Sequence, residues 1–292
     1  MHTISRVFAF LIMLSLFSVS SCRQAAPTAT SAPTLQPGDT ERKLLVNDLE
    51  RSYILHIPPG LDMAHPAPLV FAFHGSGEQP AEMELLTGFG EIADKAGFLL
   101  VYPVGIGQTW NAGTCCGYAL QNNIDDESFI RQILSDLGMV VSVDSKRIYA
   151  TGFSNGAGMV YRLACDMSDI FAAVAPVAGS LLYDPCQPSQ PVSLIDVHGL
   201  SDTTSPYEGG GQFSLPPMEE LIKTWAQLNG CTDSPQVEKK EKIFTQTAYA
   251  SCKAGTAVEH YAMEGGGHAW PSKYLWDASQ AIWDFFAAHP KQ

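Results

Sequence analysis

The chain has 292 residues, 46% hydrophobic and 16% charged, enough for one large domain or two small ones. Thirty acidic residues against 17 basic ones give a formal net charge of −13. That balance argues against nucleic-acid binding, which depends on a basic face.

The first 21 residues read as a secretion signal. Arg6 is the only formally charged residue before Cys22, and a mostly apolar run from Val7 to Val19 follows it. The run is too short for a comfortable transmembrane helix. Val19-Ser20-Ser21-Cys22 resembles a bacterial lipobox, which implies cleavage before Cys22 and a lipid on that cysteine. Residues 22–38 are rich in Ala, Thr and Pro with no apolar period, and read as a tether reaching about 20–25 Å. The expected product is an exported cell-envelope lipoprotein or extracellular protein. It would touch membrane only through its lipid, with a monomeric folded domain over 39–292.

Within that domain, short apolar runs alternate with helical patterns. "ERKLLVN" and "SYILHIP" read as an antiparallel strand pair. "PLVFAFHG", "GFLLVYPVG", "RIYATGF", "FAAVAPVAG", "VSLIDVHG" and "AVEHYAME" follow as further strands. Most are continuous runs bounded by Gly or Pro, as strands buried on both faces are. Helices are expected over 128–141, 155–165, 217–228 and 274–288. The alternation predicts an α/β fold with a mostly parallel central sheet and helices on both faces. No internal repeat and no second-domain linker is visible after Gly38.

In such sheets, reactive groups collect beyond the C-terminal strand ends. Ser154 stands at one of them, in Gly152-Phe153-Ser154-Asn155-Gly156. Glycines at that spacing fit the tight strand-to-helix turn that exposes a nucleophilic serine. The plain alternative is a corner packed with small residues. A serine needs a base, and His268 follows three glycines at a later strand end. His198 is the rival, but it lies four residues before Asp202, the better acid. Asp196 sits inside a strand, where an unpartnered charge is costly. Chain order Ser154, Asp202, His268 is the order used by α/β-hydrolases. The oxyanion donors are expected to be the backbone amides of Asn155 and Ser76, with Gly75 next. Trp110 and Trp270, both on strand-end loops, are expected to form substrate-binding pocket walls.

Asp125-Asp126-Glu127 reads as the acidic first turn of a helix rather than a metal cluster. No metal or other cofactor is expected. With Cys22 set apart, six cysteines remain: Cys115, Cys116, Cys165, Cys186, Cys231 and Cys252. In an oxidising compartment these suggest three disulfides. Cys231 with Cys252 is the expected local pair. Adjacent Cys115 and Cys116 are expected not to join each other but to take Cys165 and Cys186.

Taken together, "RSYILHIP", "PLVFAFHG", "TWNAGTCCG", "KRIYATGFSNGAGMVYRLAC", "VHGLSDTTSPYEGG" and "GGGHAWP" resemble the polyhydroxybutyrate depolymerase-like esterases. These are α/β-hydrolases allied to feruloyl and acetylxylan esterases. The resemblance runs from about Glu41 to Phe286. It implies Ser154, Asp202 and His268 as the catalytic triad of an ester hydrolase, with polymer-linked, aryl or short-chain acyl esters as substrates. The segment from Gly179 to Pro191 is too short for a large lid domain, so an open site is expected, rimmed by "SPYEGGGQFSLPP". A glycan-binding protein on an inactive hydrolase fold, or a serine peptidase, are the alternatives.

Overall fold

The structure, a computed structural model, describes residues 36–292. The signal segment, Cys22 and most of the tether lie outside the described residues. A ten-stranded sheet carries the fold, in the order β1-β2-β4-β3-β5-β6-β7-β10-β9-β8. Its centre is six parallel strands: β4 (Leu99–Pro103), β3 (Ala67–Phe73), β5 (Val143–Phe153), β6 (Ala173–Val177), β7 (Ser193–Gly199) and β10 (Val258–Met263). One antiparallel margin is β1 (Gly38–Val46) with β2 (Leu49–Ile57), the other β9 (Phe244–Tyr249) with β8 (Gln236–Lys240). Asn47 and Asp48 turn the first hairpin with φ of 49° and 64°, the left-handed pair a two-residue turn needs.

The period of two in each strand divides the core. Leu69, Phe71 and Phe73 pack with Phe129 and Ile130 of α4 (Asp126–Gly138), Met159 and Leu163 of α5 (Asn155–Asp166) and Trp225 of α6 (Met218–Leu228). Val70 and Ala72 face the other way. They pack with Met83 of α1 (Pro80–Thr87), Phe89 of α2 (Phe89–Ala96) and Phe286 of α7 (Ala278–Ala288). The remaining α-helix, the short α3 (Gly117–Gln121), lies on the loop after β4. The 178–192 connection holds no helix or strand and no inserted domain.

Asp125 caps α4 by accepting the Ser128 amide at 2.9 Å. Asp126 is buried against Arg51 at 2.8 Å, and Glu127 meets Arg162 at 2.9 Å. The acidic triplet is thus engaged in a cap and two ion pairs.

The cysteines correct one expectation. Cys165 pairs with Cys186, Cα atoms 5.1 Å apart, and Cys231 pairs with Cys252. Cys115 and Cys116 pair with each other across a cis peptide, Cα atoms 3.0 Å apart. The expected exchange with Cys165 fails on distance. Helix α5 carries Cys165 about 16 Å along its axis from Ser154, whereas Cys115 and Cys116 line the cavity at Ser154.

Candidate active site

Because the central strands are parallel, their C-terminal ends share one edge of the sheet. Ser154 follows β5 at that edge with φ 55° and ψ −117°, a conformation an L-residue holds only when its surroundings impose it. The glycines on either side are sterically required. A Cβ at Gly152 would lie 2.6 Å from the backbone of Gly156, and one at Gly156 would overlap the carbonyls of Phe73 and His74. The elbow therefore presses on the end of β3.

Asp202 follows β7. Its Oδ1 accepts the amides of Thr204 and Ser205, both at 2.8 Å, which fixes the carboxylate. Its Oδ2 meets His268 Nδ1 at 2.8 Å, and His268 Nε2 meets Ser154 Oγ at 2.8 Å. The carboxylate can only accept, so Nδ1 carries the hydrogen and Nε2 is left to accept from the serine hydroxyl. The loops bearing Asp202 and His268 touch backbone to backbone: Ser201 N–H donates to the Gly266 carbonyl at 2.8 Å. A Cβ at Gly199 would overlap Gly266.

The row Asp202–His268–Ser154 opens on a cavity of about 350 Å³ that also meets Ser76 and Asn155. Among the described residues, the amides of Ser76 and Asn155 donate to no protein acceptor. Gly75 is different, since its amide donates to Glu78 Oε2 at 2.8 Å. Two free N–H groups beside a hydrogen-bonded serine can hold a tetrahedral oxyanion. Apolar lining comes from Leu182 on the 178–192 connection, which sequence reasoning did not single out, and from Phe213 and Leu215 within the rim segment that it did. The available signal was a large apolar side chain in a Gly- and Pro-rich loop with no neighbouring apolar period.

The tryptophans correct a second expectation. Trp110 is fully buried and does not line this cavity. The loop after β4 turns inward beneath the elbow, where the indole packs edge-on to Phe73 at 5.1 Å and donates to the His74 carbonyl at 2.9 Å. Trp270 is also buried and donates to Ser279 Oγ at 3.0 Å, tying the His268 loop to α7. Neither is a wall of the Ser154 cavity.

His198 and Asp196 are placed away from Ser154. His198 Nε2 donates to the Ser205 carbonyl at 2.7 Å and stands 3.5 Å from Asp202 Oδ2. Asp196, buried within β7, meets His260 Nδ1 at 2.8 Å and accepts the Tyr161 hydroxyl at 2.9 Å.

Residues 51–205 match the family described as Esterase PHB depolymerase. That span holds Ser154 and Asp202, while His268 lies beyond it. Feruloyl esterase B of Piromyces equi is 30% identical over 78% of this chain, which spans 44% of that longer protein. Feruloyl esterase C of Emericella nidulans is 28% identical over 90% of this chain and 91% of its own length. Among solved structures, the acetyl xylan esterase from Aspergillus awamori superposes with a TM-score of 0.60 at 17% identity. It covers 85% of this chain and 99% of that one, a likeness of fold.

Proposed function

This chain belongs to the Esterase PHB depolymerase family of ester hydrolases, and on that premise we propose an exported, lipid-anchored serine carboxylesterase. Its substrates are feruloyl or acetyl esters on plant polysaccharide, or short-chain polyester. The observation that carries the reading is the row Asp202–His268–Ser154, with both contacts at 2.8 Å, opening on a cavity beside two free amides.

Ser154 Oγ attacks the ester carbonyl while His268 Nε2 takes its proton. Asp202 holds the imidazole in the required tautomer and stabilises its charged form. The amides of Asn155 and Ser76 receive the developing oxyanion. His268 then protonates the departing alcohol, leaving an acyl group on Ser154. Water enters and attacks the acyl carbonyl as His268 takes its proton; the second tetrahedral adduct then collapses, His268 returns that proton to Ser154 Oγ, and the acid leaves. Leu182 and Phe213 offer an apolar wall that suits an aryl or short acyl group. Relatives named as feruloyl and acetylxylan esterases support an acyl group carried on polysaccharide.

The test is a panel of methyl ferulate, acetylated xylan and poly(3-hydroxybutyrate), run beside Ser154→Ala. Release of acid from at least one by the parent, and from none by the variant, is expected. Turnover of p-nitrophenyl acetate by Ser154→Ala equal to that of the parent sinks the assignment. Mass spectrometry should also find a fluorophosphonate adduct on Ser154.

A further inference from the structure

The two amides read above as oxyanion donors come from different parts of the chain. Asn155 begins α5, whereas Ser76 lies on the loop after β3. A transition state is held well only if both donors are fixed relative to each other before reaction. The side chain of Asn155 is held by the backbone of buried Trp110. Its Oδ1 accepts the Trp110 amide at 2.7 Å, and its Nδ2 donates to the Trp110 carbonyl at 3.1 Å. This reciprocal pair, with a donor on one side and an acceptor on the other, also settles which way the amide points.

From Trp110 the connection continues. The indole Nε1–H donates to the His74 carbonyl at 2.9 Å, and the indole and imidazole rings lie 4.9 Å apart. His74 is two residues before Ser76. Its own ring spans two loops: Nε2 accepts the Gly105 amide at 3.0 Å, and Nδ1 contacts the Gly75 carbonyl at 2.8 Å. With Nε2 accepting, Nδ1 carries the hydrogen and donates. Burial lowers the imidazole's proton affinity, in keeping with that neutral, one-hydrogen form. Asn155, Trp110 and His74 are all buried, and Gly156 closes the same circuit by resting on the carbonyls of Phe73 and His74.

We propose that the Asn155 side chain, Trp110 and His74 are positioning residues that join the two oxyanion donors into one rigid unit. The elbow's amide and the Ser76 amide are then set by one hydrogen-bonded circuit, not by two independent loops. The proposal rests on the serine-esterase reading and on those two donors, and it goes further by assigning a role to side chains that never meet substrate.

Trp110→Phe keeps most of the ring but removes the indole N–H. Asn155→Ala cuts the circuit at its other end while leaving the backbone donor in place. Each variant should lower kcat for p-nitrophenyl acetate about 10- to 100-fold, since small misplacements of a catalytic group cost that much. KM should stay within about twofold of the parent. The inhibition constant of an aryl trifluoromethyl ketone, which forms a tetrahedral adduct on the serine, should rise by the factor lost in kcat/KM. The double variant should lose no more than the worse single one, because both cuts break one circuit.

Tyr161→Phe supplies the control. It removes another buried hydrogen bond, at 2.9 Å to Asp196, and should leave kcat unchanged at temperatures where it stays folded. Parent-like kcat and inhibitor affinity in folded Trp110→Phe or Asn155→Ala overturn the proposal, and so do multiplicative losses in the double variant. If either single variant fails to fold, the other one decides. Turnover retained by Ser154→Ala overturns the esterase reading and this proposal with it. An inactive Ser154→Ala beside a parent-like Trp110→Phe overturns the positioning circuit alone.

Discussion

Two histidine–carboxylate pairs are built on the same two strands, β7 and β10, and they differ in almost everything but their spacing. Asp196 and His260 are direct partners in the parallel register and meet at 2.8 Å inside the sheet. Asp202 and His268 meet at the same 2.8 Å just past the ends of those strands. The His260 side chain is 4% exposed, and its Nε2 faces the hydroxyl of buried Tyr207 at 3.0 Å. The His268 side chain is 20% exposed, and its Nε2 faces Ser154 on an open cavity. A carboxylate behind an imidazole is therefore not what distinguishes a reactive site. The group at the far nitrogen, and access to it, decide whether the pair can move a proton to substrate or only fix a loop.

The sharpest way to break this comparison is to remove the imidazoles in turn. His268→Ala should cost about 10⁶ in kcat, as losing the base of such a site does elsewhere. Asp202→Asn should cost about 10⁴ through the wrong tautomer. Steady-state hydrolysis of p-nitrophenyl acetate measures both. His260→Ala should act on stability instead, by about 3–5 kcal/mol, because it strands the buried Asp196 carboxylate. Urea unfolding reads that loss, while kcat per folded molecule should stay close to the parent's. An equal loss of kcat in both histidine variants would erase the distinction.

Access can be tested at the rim. Phe213→Ala should shift the kcat/KM preference for methyl ferulate over p-nitrophenyl acetate by about tenfold, the scale expected when one apolar wall is lost.

The smallest effect belongs to a third histidine, His56, which lies near the surface between Asp39 at 2.6 Å and Asp94 at 3.0 Å. Desolvation lowers its pKa, but the two carboxylate contacts outweigh that and leave it raised. Its contribution to stability is complete below the ordinary value of about 6.5 and is lost as pH rises through the raised folded value. Solvent screening keeps this under about 1 kcal/mol. His56→Gln should flatten the dependence of the melting temperature on pH across that window.

The strands that were legible in the sequence are those whose environment leaves a mark on composition. β3, β4, β5, β6 and β7 are wholly or largely buried and read as apolar runs. β8 was not legible, because all five of its residues are exposed and "QVEKK" carries no buried face. β9 is only partly buried, and "FTQTAY" carries no continuous apolar run. Helices α1 and α2 also escaped notice. Each is eight residues long, too short to establish an apolar period.

At the site, Ser154, Asp202, His268, Ser76 and Asn155 could be named because each follows a strand end or opens a helix beside glycine. A parallel sheet brings such ends to one edge. The roles of Trp110 and of Cys115, Cys116, Cys165 and Cys186 could not be read in this way. Whether a loop after a strand turns outward to substrate or inward beneath the elbow depends on contacts 45 residues away, such as those from Asn155 to Trp110. Likewise, Cys165 is separated from Cys115 by the length of a helix, a distance that spacing along the chain does not express.

By itself, then, the sequence determined the alternation of strand and helix, the order of the candidate reactive groups and the glycines that let loops approach one another. These follow from local rules: side-chain period, backbone freedom and burial of apolar runs. Only the tertiary structure decided that Trp110 and Trp270 are buried and how Cys115, Cys116, Cys165 and Cys186 meet. Those outcomes are set by the direction in which each loop leaves the sheet, and that direction is fixed by partners far along the chain.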